Sequence, residues 1–166
     1  QELTKPVKVE GDPRIDVSIE ARKAQRDALL SLQKLYPQLS AASTTLESID
    51  REIGKVEGNL KKLPDVPQAL LEEIKSVSKE IVDIRLKLAG DPQAGFEGMR
   101  FSLRGRLFSL ARTIGGFTGA PSDRQLQQIE KISEELKAVI ERINMIIEDN
   151  IPNLNKLLYE NNIPYS

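Results

Sequence analysis

The sequence predicts an all-α fold: an antiparallel four-helix bundle with a long first helix kinked at Pro37, preceded by a short extended segment. Three observations carry this expectation. Apolar residues recur at alternating steps of 3 and 4 through most of the chain, the period of a helix with one buried stripe. The stripes are separated by stop signals built from Pro, Gly and Asp. With 166 residues, the chain is also long enough to bury a core without metals or disulfides.

Residues 1–16 stand apart from the rest. Leu3 to Glu10 end in alternating apolar and polar residues, and Gly11-Asp12-Pro13 stops them, the pattern of one short strand and a turn. A lone strand is not stable by itself. The segment therefore reads as an extended linker or a strand severed from a preceding β-domain, with a disordered leader as the alternative. Residues 17–166 form the helical domain.

The first helix is expected over residues 17–62. Leu32, Leu35, Leu39, Ala42, Leu46, Ile49, Ile53, Val56, Leu60 and Leu63 keep an unbroken heptad, which Ser18, Ala21 and Ala28 extend backward, with Gln25 as a polar member. Pro37 removes a backbone donor and crowds the carbonyl one turn earlier. Because the heptad phase survives across it, a kink is expected in preference to a break. At about 45 residues this helix would be roughly 68 Å long. Pro64-Asp65-Val66-Pro67 stops it.

The second helix, over 67–89, places Leu70, Ile74, Val77, Ile81, Ile84 and Leu88 on one seam and leaves at Gly90-Asp91-Pro92. Residues 93–98 read as a loop. A third, shorter helix over 99–114 carries Leu103, Leu107, Leu110, Ala111 and Ile114 and ends at Gly115-Gly116. Ser122 and Gln125 are spaced for a capping box at the start of the fourth helix. Its seam is Ile129, Ile132, Leu136, Val139, Ile143 and Ile146. Asn150-Ile151-Pro152 interrupts it, and Leu154, Leu157 and Leu158 suggest a last short helix. Helices two and three together match the first in length, so laying them with the fourth against it closes the bundle.

Composition restricts the chemistry. Histidine and cysteine are both absent, which excludes a Ser–His–Asp triad, a thiol nucleophile, the usual zinc and haem ligand sets, and the Glu-x-x-His motif of ferritin-like di-metal bundles. A net charge of −1 gives no global attraction to nucleic acid or anionic lipid, and no nucleic-acid partner is expected. No apolar run approaches the roughly 20 residues of a membrane span. The beginning of the chain carries no export signal, so a mature product or an excised piece of something longer is expected. No catalytic residue, cofactor or metal is assigned.

Four features bear on a role. Gly54 and Gly58 form a G-x-x-x-G that suits the close approach of a partner helix better than a ligand notch; neighbours Lys55, Glu57, Lys61 and Lys62 exclude a membrane setting. Arg100, Arg104, Arg106 and Arg112 make the third helix basic, with no acidic residue between Gly98 and Pro121. They form the candidate interaction surface, although pairing with Glu72, Glu73, Glu134, Glu135 and Glu141 of flanking helices is the simpler use of such charges. The pairs Glu80 with Asp83 and Glu47 with Asp50 sit at helical neighbour spacing and have the chemistry to hold a divalent cation or move protons, though most such pairs are solvated helix surface. The glycines Gly90, Gly95 and Gly98 are too dispersed for a phosphate loop.

The two ends of the chain carry a resemblance. Val7-Lys8-Val9-Glu10-Gly11-Asp12-Pro13-Arg14 followed by a long Gln- and Arg-bearing helix, and the close Ile151-Pro152-Asn153-Leu154-Asn155 to Leu158 with Asn162-Ile163-Pro164, resemble the tail of secreted bacterial proteins built on a sortilin-type (VPS10-like) β-propeller with Asp-box, or BNR, repeats. The match runs through the chain in order, with helix pattern alone in the middle. What the resemblance implies is an extracytoplasmic, non-catalytic C-terminal domain, joined through Val7 to Arg14 to a β-propeller or other β-rich domain of the same polypeptide. Any sugar chemistry would sit on the propeller, whose motifs this segment lacks. Two other expectations stay open: a free-standing coiled-coil-like adaptor or sensor bundle that self-associates, and a carboxylate-based metal-binding bundle.

Overall fold

The structure is a computed structural model that describes residues 4–7 and 17–163. Among these residues all regular structure is helical. The six helices are α1 (Ile19–Leu60), α2 (Gln68–Ala89), α3 (Gly95–Arg100), α4 (Leu103–Gly115), α5 (Asp123–Met145) and α6 (Ile151–Glu160).

Helix α1 starts where Ser18 accepts the Ala21 N–H at 3.1 Å, and Glu20 in the first turn complements the positive helix end. It then runs 42 residues, about 63 Å, through Pro37 without ending. The heptad explains why the proline is tolerated. Leu32, Leu35, Leu39 and Ala42 are buried on both sides of it, so tertiary packing outweighs the local cost of one lost hydrogen bond. The seam closes at Leu60: Val56 is only half-buried and Leu63 is exposed, so the last heptad step fails where Pro64 turns the chain.

Helix α1 packs against α2, α4 and α5, α2 also meets α4, α5 and α6, and α4 lies on α5. The apolar stripes meet in one core, in which Leu32, Leu70, Ile81, Ile84 and Leu107 are fully enclosed. The expected polar member of the seam, Gln25, has its own use. Its Nε2 donates to the carbonyls of Ile114, at 2.7 Å, and Phe117, so it satisfies the open end of α4 from the face of α1.

Residues 4–7 have no regular secondary structure and are exposed, and the remainder of the expected linker or strand lies outside the described residues. Three other expectations are corrected. The expected loop at 93–98 is instead a 3-10 turn over Pro92–Ala94 and then α3, nucleated where the Asp91 carboxylate accepts the Gln93 N–H at 2.8 Å. The third helix is accordingly split: α3 ends at Arg100, and α4 starts afresh with buried Ser102 as its cap, accepting the Gly105 N–H at 3.1 Å. Finally, the expected last short helix is α6, but no loop separates it from α5. A five-residue π-turn, Ile146–Asn150, carries α5 into α6, with the Ile151 N–H reaching back to the Ile146 carbonyl. Pro152 accounts for the wider turn, since a tight α-turn would press its ring on the carbonyl of residue 148.

The capping box at the start of α5 is as expected: the Gln125 N–H donates to Ser122 Oγ at 3.3 Å, and the Ser122 N–H to Gln125 Oε1 at 2.9 Å. No helix among the described residues is long and apolar enough to cross a membrane.

Candidate functional site

The basic helix and the turn before it form a tight corner. Gly90 ends α2 at φ +85°, and a Cβ there would sit 2.2 Å from the Gly98 carbonyl oxygen. A Cβ on Gly105 would lie 2.1 Å from the carbonyl oxygen of Met99. Only glycine lets α3 press this closely against the end of α2 and the start of α4. Ser102 fastens the same point by donating from Oγ to the Met99 carbonyl at 2.6 Å. The corner therefore holds Met99, Arg100 and Phe101 in fixed relation to α4.

The four arginines of this segment divide. Arg106 forms a two-pronged pair with Glu135 of α5, at 2.6 and 3.0 Å, which holds the Glu135 carboxyl below the usual carboxylate range. Arg106 is thus taken up in joining α4 to α5 and leaves the candidate surface. The other three are exposed. Arg100 lies 4.0 Å from Glu97 and 5.8 Å from the centre of the Phe101 ring. Arg104 and Arg112 have no carboxylate within ion-pair distance among the described residues.

Between α4 and α1 these three arginines border an apolar cleft of about 700 Å³, whose walls include Tyr36, Met99 and Phe108. Ser40, Gly105 and Ser109 leave room for it because they carry little or no side chain. Arg104, Phe108 and Arg112 follow at steps of four residues, so they line one face of α4 from consecutive turns. Phe101, Phe108 and Phe117 are 71, 62 and 63% exposed. All four phenylalanines of the chain fall within residues 96–117. That clustering was the available signal for the aromatic half of the site, and the charge pattern alone does not reveal it.

The other candidates are placed as follows. Glu80 accepts a hydrogen bond from Arg142 Nε at 2.6 Å, which holds its carboxyl below the usual range. Asp50 pairs with Arg85 at 2.5 Å. One member of each expected carboxylate pair is therefore engaged by an arginine on another helix. No group of three acidic, His or Cys residues gathers among the described residues. Among the described residues nothing closely approaches Gly54 or Gly58, since a Cβ at either would meet nothing within 4 Å. No known family, curated protein or solved structure matches the chain.

Proposed function

We propose that this chain is a non-catalytic interaction domain, an antiparallel four-helix bundle that docks a protein partner through the cleft between α1 and α4. The observation that carries this is the exposed set of Met99, Arg100, Arg104, Phe108 and Arg112 on a rigid corner. A concave apolar site with a few convergent charged groups is the usual form of a recognition surface, and arginine and aromatic residues are enriched at interface centres. The arginine-paired Glu80 and Asp50 and the absence of histidine and cysteine from the sequence support a binding role over a reaction.

The resemblance at the two ends of the chain supports a setting for this domain: an exported protein, with a β-propeller or other β-rich neighbour ahead of it in the same polypeptide. An open reading frame with no β-repeat region upstream refutes that setting.

The docking role is tested by site-specific photo-crosslinking. A benzophenone amino acid is placed at Phe108 in one variant and at exposed Lys23 in another, each in the source cell. A discrete adduct from position 108 alone is the expected result. Equal adducts from both, or none from 108, argue against docking at this cleft.

A further inference from the structure

We propose, building on that docking role, that the occupant of the α1–α4 cleft is an acidic amphipathic helix presenting one large apolar side chain between two carboxylates. The charged residues that line the cleft are all positive, with one acid, Glu97, beside Arg100. Residues 99–120 include four arginines and no acid, and among the described residues the only one of the four with an inter-helix partner is Arg106, on the far side of α4. The opposite wall, Tyr36, Leu39 and Ser40, carries no charge, and residues 28–46 of α1 contain no Asp or Glu. Nothing within either wall can neutralise Arg104 and Arg112 when the cleft is covered. Burying a cation without a counter-charge is strongly unfavourable, so a stable occupant must bring the carboxylates itself.

The geometry adds spacing. Arg104 and Arg112 are two turns apart on α4, about 12 Å along its axis, with Phe108 midway. A partner helix laid along the cleft matches this with Glu or Asp eight residues apart and Leu, Phe or Met in the middle, the apolar side chain entering between Tyr36 and Phe108. Arginine suits the task, since its planar fork takes a carboxylate through two parallel hydrogen bonds. A flat anionic membrane is a poorer occupant. Phe108 lines this cleft while Phe101 lines a second one toward Gln125 and Lys131 of α5, and the net charge of −1 gives no long-range attraction to lipid.

The experiment uses fluorescence anisotropy with the whole chain and labelled alanine-based helical peptides of about 18 residues. One carries Glu-x-x-x-Leu-x-x-x-Glu, a second has Gln for both Glu, and a third keeps the composition with the two Glu adjacent. The first should bind saturably, and the other two about 10-fold more weakly or worse. R104Q/R112Q should weaken the first peptide about 10-fold. R104E/R112E should reject it and accept the peptide with Lys in place of Glu. Both variants change exposed residues, and circular dichroism checks that they stay folded. Binding indifferent to Glu spacing or to these substitutions overturns the proposal. So does a lack of peptide binding when phosphatidylglycerol vesicles bind through the same arginines. If the crosslinker at 108 yields its adduct and no acidic peptide binds, the assigned occupant fails while the docking role stands; if the adduct is missing as well, both fail.

Discussion

In α1, Leu32, Leu35, Leu39, Leu46, Ile49 and Ile53 recur on one stripe and are buried, while around α3 and α4 Met99, Phe101, Phe108 and Phe117 stand in solvent. Both regions are rich in apolar residues and both are helical. They differ in what sets the position of each side chain. Along α1 the period of the helix does so, and one regular pattern delivers these six residues to the core. At the corner, backbone contact does so: Gly90, Gly98 and Gly105 let chain segments touch, and the side chains are left facing outward. Periodic sequence builds the core here, and close glycine contacts build the corner beside it.

The sharpest division between the two regions is expected in urea unfolding. Leu32→Ala removes a fully enclosed side chain and should cost about 3 kcal/mol, whereas Phe108→Ala should change stability by less than about 0.5 kcal/mol. A Phe108→Ala loss equal to that of Leu32→Ala would break the comparison. Next in size is Gly105→Ala, expected to cost about 2 kcal/mol because its Cβ collides with the Met99 carbonyl. Hydrogen exchange should then rise over residues 95–101 and leave the middle of α1 protected. Gly54→Ala and Gly58→Ala make the opposite test, since both point into open space within a helix. Each should stabilise by about 0.5–1 kcal/mol, read as a higher denaturation midpoint.

The smallest effect concerns the ion pairs that tie the helices together. A double-mutant cycle on Glu80 and Arg142 should give a coupling of about 0.5 kcal/mol at neutral pH, these side chains being partly open to solvent. The folded Glu80 carboxyl has its pKa lowered, chiefly by the Arg142 hydrogen bond, so the unfolded chain takes up its proton first on acidification. The coupling is therefore fully present above about pH 4.5 and is lost as pH falls through the lower folded value. Coupling that persists at pH 2 would mean the pair is held by packing and not by charge.

The seams of α1, α2, α4 and α5 were legible in the sequence because burial imposes a period that single residues cannot disguise. The start of α5 was legible for a local reason, the Ser122–Gln125 box. The corner was not. Its first helix is six residues long, too short for a period to register, and Gly95 and Gly98 within it lower helix propensity. Asp91 and Ser102 did supply start signals, masked by the glycines around them. The arginines of the site were read from charge, but which of them remains accessible depends on Glu135, 29 residues further on in sequence, and spacing along one helix does not contain that contact.

The π-turn at Ile146–Asn150 resets which residues of the last helix face the core. Continued without it, the rhythm of Val139, Ile143 and Ile146 in the seam would put Asn150, Asn153 and Leu157 inside; the residues found there are Ile151, half-buried, and Leu154 and Leu158, buried. The turn thus shifts the seam by one residue and keeps it against the core.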